Sequence, residues 1–551
     1  REINGIPEPS LCIYGYLNER EYVHLCRESG IDPFAIVYEV QNWEFPAKFD
    51  ENGKLTALNV TAGDSEDWYG LREFSNGIHD AAFPTTLKDY YPEGIINTAG
   101  ETVTDLHREA ASLDQYGTPI HAKWVEVIGR RAECYQACRN NPVWRNYLKR
   151  IIYMQAKGGA RAIQLDECEL PMTSMGSGGC FCRDCVTQFT EYLKARRDEK
   201  KLGPEWNGID IENFNYRDYL NEKGIRFDKQ APFYRDYWEF QMRAVKKYFT
   251  ELADYVHSLS VEFGEKMRVS GNFYNLMPTY YPIQPTVDVV ITEMAHTLLH
   301  QPYFFRYCAG FGGGKPVIVT ENPYGGMMAE LLDMMDKGRG YDLYRVFLME
   351  ASVYGCNMSI PYGAWMGNSI HDGFMAPHWL NCEVQDYLYT NERYFTNKTN
   401  GAALVIYSYK SNYWDEANSQ SYGNEGTKNE NPSIASQVSG EYSDPSRRLD
   451  FWKVSKQLSA AQVQYDVLIT PDGVLREDDF DESALEGYRV VVLPDCYEMT
   501  DHQVDVLCRW AAKGGRIVVH GRCYARDRFE KAGAVFTEDF MEGFMPVYDG
   551  Q

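Results

Sequence analysis

The chain has 551 residues, 44% of them hydrophobic and 24% charged, with a formal net charge of −24 at pH 7. That length exceeds one ordinary core, so two or more domains are expected, and the composition is that of a globular chain rather than a disordered one. The acidic balance argues against nucleic acid as a partner, whose phosphates call for Lys and Arg, and no run of 18 apolar residues marks a membrane-spanning helix.

In chain order, apolar runs of strand length alternate with amphipathic stretches of helix length. Strands are expected at 34–40, 120–125, 162–165, 267–270, 287–291, 316–320 and 357–360. Helices are expected at 142–157, 186–197, 234–263 and 327–335. Such alternation predicts parallel strands joined by crossover helices, an α/β class. Over residues 1–398 it fits a closed (β/α)8 TIM barrel better than a doubly wound sheet. Residues 43–103, rich in Gly, Asp and Asn, read as an insertion over the barrel mouth. A second domain, 399–551, opens with a strand at 402–407 and a polar loop or lid at 412–446. Helices at 449–461 and 501–513 and strands at 465–469, 489–494 and 516–520 complete a flavodoxin/amidotransferase-like α/β layer.

Three strands end in an acid. Leu165-Asp166-Glu167 closes the run AIQL, Ile291-Thr292-Glu293 closes VDVVI, and Val319-Thr320-Glu321 closes PVIVT. Residues at the C-terminal ends of barrel strands face the mouth, and a charge at the end of a buried strand is costly unless used or paired. Carboxylates from different strands can be held in different protonation states, one as an acid and one as a nucleophile. The competing reading of each is a solvated or salt-bridged surface acid. Tyr (41) and Trp (11) are frequent, as in proteins that stack sugar rings and also in large cores.

The 14 cysteines are spread along the chain, and Cys12, Cys308, Cys356 and Cys508 sit in apolar runs as small buried hydrophobes. This usage favours a reducing, cytoplasmic compartment. The chain opens at Arg1 without a signal-peptide pattern, and a removed signal peptide is the alternative. One group differs. Cys180-Phe-Cys182-Arg-Asp-Cys185 places three thiols in six residues, poor for mutual disulfides but suited to wrapping one tetrahedral zinc. Cys134, Cys138 and Cys168 are candidates for the fourth ligand, and reduced loop cysteines without metal are the other reading.

Together these segments resemble a family. Cys138-Arg-Asn-Asn-Pro142-Val-Trp-Arg145, a helix, a strand ending Asp166-Glu167, then CFCRDCVTQFTEYL look like the family 42 glycoside hydrolases. Those are β-galactosidases of the clan A barrel fold with a structural zinc. The resemblance implies Glu167 as acid/base, Glu321 as nucleophile, and Cys138, Cys180, Cys182 and Cys185 as zinc ligands. The segments ALVIYSY and YRVVVLPDCYEMTD…WAAKGGRIVV resemble that family's trimerisation domain, which implies a homotrimer. Asp166 stands where the clan usually has an Asn that donates to the sugar 2-hydroxyl. An ionised Asp only accepts, so the contact at C2 differs. Glu293 is then an acceptor for a sugar hydroxyl, a nearby charge or a structural acid. Trp365, in SIPYGAW, is a stacking floor or a core residue, and Asn272, Tyr274 and His296 follow strands and can line the pocket.

The expected activity is that of a retaining, exo-acting β-glycosidase on oligosaccharides, β-galactosidase-like, with β-mannosidase or another β-glycosidase as alternatives. A non-catalytic carbohydrate-binding protein is the alternative of another class, disfavoured because both strand-end glutamates are present. A glutamine amidotransferase needs a nucleophile elbow with small neighbours, which Cys496 in LPDCYEM lacks. A catalytic metal site would want His and Asp ligands rather than this sulfur-rich set.

Overall fold

A computed structural model describes residues 2–3, 6–7, 20–53, 55–58, 67–71, 91–121, 133–166, 172–273, 276, 278–293, 300–320, 328–359, 377–396, 401–411 and 450–537. The chain divides into two compact units, one holding the described residues up to Asn272 and the other those from Phe273 onward.

In the first unit, β1 (Phe34–Tyr38) leads into an antiparallel sheet of β2 (Gln41–Phe49), β3 (Leu55–Leu58), β4 (Asp67–Gly70) and β5 (Glu133–Gln136). There follow α1 (Pro142–Lys157), β6 (Ala162–Asp166), α2 (Arg183–Asp198), the 30-residue α3 (Tyr234–Phe263) and β7 (Arg268–Gly271). β1, β6 and β7 form a parallel sheet with β6 in the middle. Ala162, Ile163 and Leu165 of β6 are fully buried, as expected for a strand covered on both faces.

α1 starts where its sequence says it should. Asn141 caps it, its side chain accepting from Val143 N (2.8 Å) and Trp144 N (3.1 Å), and Pro142 takes the first turn, where its missing N–H costs nothing. Trp144, Leu148, Ile151 and Ile152 recur at helical spacing and are buried, each contributing about 1.5–3 kcal/mol.

Of the strand expected at 120–125, the described Ile120 and His121 pair antiparallel: Ile120 N donates to Ser112 O at 2.8 Å and His121 bridges Tyr135, while β1 and β6 are direct neighbours. Residues 122–132 lie outside the described ones. The segment expected as an insertion carries a regular antiparallel sheet, β2–β4, and Asn42 and Glu44 of β2 are buried. Polar residues at buried positions break the apolar alternation by which strands are recognised.

In the second unit, β8 (Val290–Glu293), α4 (Pro302–Gly312), β9 (Val317–Thr320), α5 (Tyr341–Val353) and β10 (Asn357–Met358) give a second three-stranded parallel sheet with helices between its strands. Then come α6 (His378–Thr390), β11 (Ala403–Ser408), α7 (Asp450–Ala460), β12 (Tyr465–Thr470), β13 (Val490–Pro494), α8 (Asp501–Ala512), β14 (Arg516–His520) and β15 (Val535–Thr537). These last five strands are all parallel, in the order β12-β11-β13-β14-β15. This α/β layer belongs to the same unit as β8–β10. Tyr307 of α4 packs against Tyr407, Phe451 and Trp452, and Tyr281 OH donates to Ile469 O at 2.9 Å. No helix of the described residues is long and apolar enough to cross a membrane.

α4 reaches β12 only because Gly310 has no side chain: a Cβ there would sit 2.5 Å from Val467 O. Gly310→Ala should therefore cost about 1–3 kcal/mol, read as a lower denaturation midpoint at unchanged slope. Lys315 makes a second test. Its Nζ donates to the carbonyls of Gln284 (2.8 Å), Pro285 (2.9 Å) and Val287 (2.7 Å), and burial pulls its pKa below the usual lysine value. In the alkaline window below the unfolded value, about 10.4, the unfolded chain therefore holds the proton that the folded chain has lost, so this residue adds stability as pH rises. Urea unfolding of wild type and Lys315→Met at two alkaline pH values should show their stability difference growing with pH.

Candidate active site and metal centre

The ends of β1, β6 and β7 come together. Tyr38 stands opposite Asp166 in the parallel register, and Asn272 N donates to Leu165 O at 3.1 Å, so Asp166 and Asn272 lie at adjacent strand ends. Asp166 is 7% exposed, which makes it a buried acid rather than a solvated turn residue. In the second unit Glu293 is the last residue of β8, in register with Thr320, the residue before Glu321. Glu167, Glu321, Trp365, Tyr274 and His296 lie outside the described residues.

The four expected metal ligands converge. Cys138, Cys180, Cys182 and Cys185 are all buried, with their sulfur atoms within 4.8 Å of one another. Cys138 comes from the turn between β5 and α1. The other three come from the loop entering α2, with Cys182 as its N-cap residue and Cys185 in its first turn. The Cys138–Cys182 and Cys138–Cys185 sulfur separations are 3.4 and 3.5 Å. A zinc with Zn–S bonds of about 2.3 Å would space its four sulfurs roughly 3.8 Å apart, so the cluster fits one tetrahedral ion after a small expansion. Of the three candidates for fourth ligand, Cys138 is the one in the cluster; Cys134 is buried elsewhere, and Cys168 lies outside the described residues.

The surroundings suit thiolates. Leu113 N donates to Cys180 Sγ at 3.4 Å and Asn140 Nδ2 to Cys185 Sγ at 3.3 Å, the N–H···S contacts that offset negative charge on sulfur. Burial opposes ionisation of Cys180, yet hydrogen bonds from the other three sulfurs bring its thiol well below the usual range. Its bond to Cys180 pushes the Cys138 thiol up. The loop is held from below by α3: Tyr237 OH and Gln241 Nε2 both donate to Cys180 O, and Phe181 stacks on Tyr237 at 5.0 Å. Gly179 is also required, since a Cβ there would lie 2.5 Å from Leu113 O and from the Ile120 side chain.

Sequence reasoning missed Glu39 and Arg139. Glu39 follows β1 and is fully buried, its carboxylate gripping Arg139 Nε at 2.8 and 3.1 Å and Nη2 at 2.7 Å. The available signal was the same one used elsewhere, an acid at the end of an apolar run.

In the C-terminal sheet, Cys496 is unsuited to act as a nucleophile. Cys496 is 1% exposed, and burial pushes its thiol far up. The left-handed residue after β13 is Asp495 (φ 52°), whose carboxylate is occupied by Arg522 at 2.7 and 2.8 Å. Ligands of sheets with this strand order bind where the order reverses, here between β11 and β13. Beside that point lie Ser408 and Ser411, whose hydroxyls donate to Glu498 O at 2.6 and 2.8 Å.

No protein-family model and no curated protein sequence matches this chain. Solved structures do. A β-galactosidase from Halorubrum lacusprofundi superposes with a TM-score of 0.50 at 16% identity, covering 81% of this chain and 67% of that one. A β-galactosidase from Bacillus circulans sp. alkalophilus gives 0.49 at 15% identity, covering 93% and 70%. One from Rahnella sp. R3 gives 0.48 at 16%, covering 79% of this chain and 58% of that one. The chain thus spans little more than half the length of the Rahnella protein. At these identities the likeness is one of fold: the chain has an α/β fold with parallel sheets like that of the Halorubrum β-galactosidase.

Cys185→Ser removes one sulfur and the acceptor of the Asn140 N–H. It should lower the metal bound per chain, measured by elemental analysis, and lower the melting temperature in the same preparation.

Proposed function

We propose that the protein is a retaining, exo-acting β-glycosidase that removes terminal sugars from oligosaccharides. The observation that carries this reading is the four-cysteine cluster, which ties the Cys138 turn to the Cys180–Cys185 segment, later in the chain than the strand that ends at Asp166. The likeness in fold to β-galactosidases supports it. In this reading β1, β6, β7 and β8–β10 are strands of one closed (β/α)8 barrel, and the C-terminal α/β layer is a trimerisation-type domain of a homotrimer.

Glu321 attacks the anomeric carbon while Glu167 gives its proton to the leaving oxygen. Glu167 then takes a proton from water, which releases the sugar with retained configuration. The two carboxyl groups should stand about 5–5.5 Å apart for this double displacement. Glu293 accepts a hydrogen bond from a sugar hydroxyl, with Asn272, Tyr274 and His296 lining the pocket and Trp365 stacking on the ring. The ion in the cysteine cluster is zinc, with a structural role: all four donors come from the protein, so no position is left for substrate. A buried Asp166 in place of the usual Asn favours a β-mannoside or another β-glycoside as a second reading, because the 2-hydroxyl would donate rather than accept.

Against nitrophenyl β-galactoside, β-mannoside, β-glucoside and β-glucuronide, one substrate should be turned over. Glu167→Gln and Glu321→Gln should each lower kcat/KM by roughly 1,000-fold or more with the fold intact. Near-normal turnover in either variant would remove that residue from its role. Light scattering should give three times the mass of one chain; a monomer would overturn the trimer.

A further inference from the structure

The buried ion pair between Glu39 and Arg139 joins the two features on which the proposed function rests. Glu39 leaves β1 beside the end of β6, and its backbone N–H makes a long bond to Asp166 O, 3.4 Å. Its carbonyl accepts from Trp144 Nε1 at 2.8 Å and from Tyr248 OH at 3.2 Å, so helices α1 and α3 both hold this one residue. Arg139 lies between Cys138, whose sulfur is in the cluster, and Asn140, whose side chain donates to Cys185 Sγ. The Arg139 carbonyl is held in turn by Arg145 Nε at 2.7 Å. Glu39 is 0% and Arg139 4% exposed.

Removing two charges from water is expensive, and apolar side chains of similar volume commonly serve stability as well or better. What an apolar pair does not supply is a fixed orientation. A guanidinium held in a fork by a carboxylate sets both distance and angle between the two backbones that carry them. Here those backbones are the end of β1, in register with Asp166, and the turn that presents Cys138.

We infer that Glu39–Arg139 is a positioning strut, which holds the end of β6 in fixed relation to the cysteine cluster. Through it the organisation of the cluster sets the placement of Asp166 and of Glu167, the next residue. Neither Glu39 nor Arg139 takes part in the chemistry. The inference rests on the glycosidase reading, since placement of an acid/base matters only if Glu167 is one.

The test is a Glu39→Met, Arg139→Met double variant beside Arg139→Lys, which keeps the charge but loses the fork. Melting temperature, bound metal, kcat and KM are measured on whichever nitrophenyl glycoside the wild type cleaves. The double variant should keep its metal and melt within about 5 °C of wild type, while kcat falls roughly tenfold or more and KM stays within about twofold. Arg139→Lys should fall between the two in kcat. If the double variant does not fold, Arg139→Lys decides: a loss of kcat at unchanged melting temperature and metal content supports the strut. A kcat within about twofold of wild type in the folded variant, or a loss of activity that only follows loss of metal or of folded protein, overturns it. A wild-type protein that cleaves none of the glycosides overturns the glycosidase reading and the strut together. Cleavage by wild type with unaltered kcat in the variant overturns the strut alone.

Discussion

Four thiols meeting in a dry interior are the constraint on which the first unit depends. Cys138 N donates to Ala110 O at 2.6 Å, and Phe181 N donates to Leu113 O at 2.7 Å, so the loop before β5 is stitched to both sides of the cluster. Asn140 donates to Gln241 Oε1 at 3.0 Å, which binds the same cluster to α3. Left as thiols, four such groups would be weakly held by S–H donors; as thiolates around a cation they would become a cross-link between two parts of the chain. The aromatic packing beneath, where Phe181, Phe189, Tyr216 and Tyr237 meet within 6 Å of one another, then has a fixed roof to pack against.

The C-terminal sheet illustrates how little a strand order says about chemistry. Its topology is one that binds nucleotides and hosts nucleophilic cysteines in other settings. Here serine hydroxyls bound to a backbone carbonyl lie beside the reversal point, and the nearby cysteine is buried and hard to ionise. Its packed side meets α4, where Gly310 leaves room for close approach and Tyr307 packs on Tyr407, and Tyr281 OH donates to Ile469 O. A layer built this way stabilises its own unit.

Much of this was readable residue by residue. The runs AIQL, VDVVI and PVIVT fall at parallel strands, the second of them at Val290–Glu293 rather than 287–291, since β-branched and aliphatic residues without polar alternation suit a sheet buried on both faces. The 16-residue α1 and the 30-residue α3 carried their own periodicity, and α1 its own cap. The antiparallel sheet β2–β5 was not readable. Its buried positions include Asn42, Glu44 and Gln136, polar residues on both faces of the sheet. Glu39 and Arg139 were missed because each looks like an ordinary surface charge until the other is placed beside it, 100 residues away.

The sequence by itself determined which residues could carry the chemistry: three acids at strand ends and a C-x-C-x-x-C loop, because strand ends and thiol spacing are local properties. Thiol spacing left Cys134, Cys138 and Cys168 as candidates for the fourth ligand, and the family resemblance pointed to Cys138. Tertiary structure brings Cys138 to the other three sulfurs, and it alone paired Glu39 with Arg139 and set Asp166 beside Asn272. These choices turn on distances between segments separated by tens to hundreds of residues, which only the packing of helices and sheets can fix.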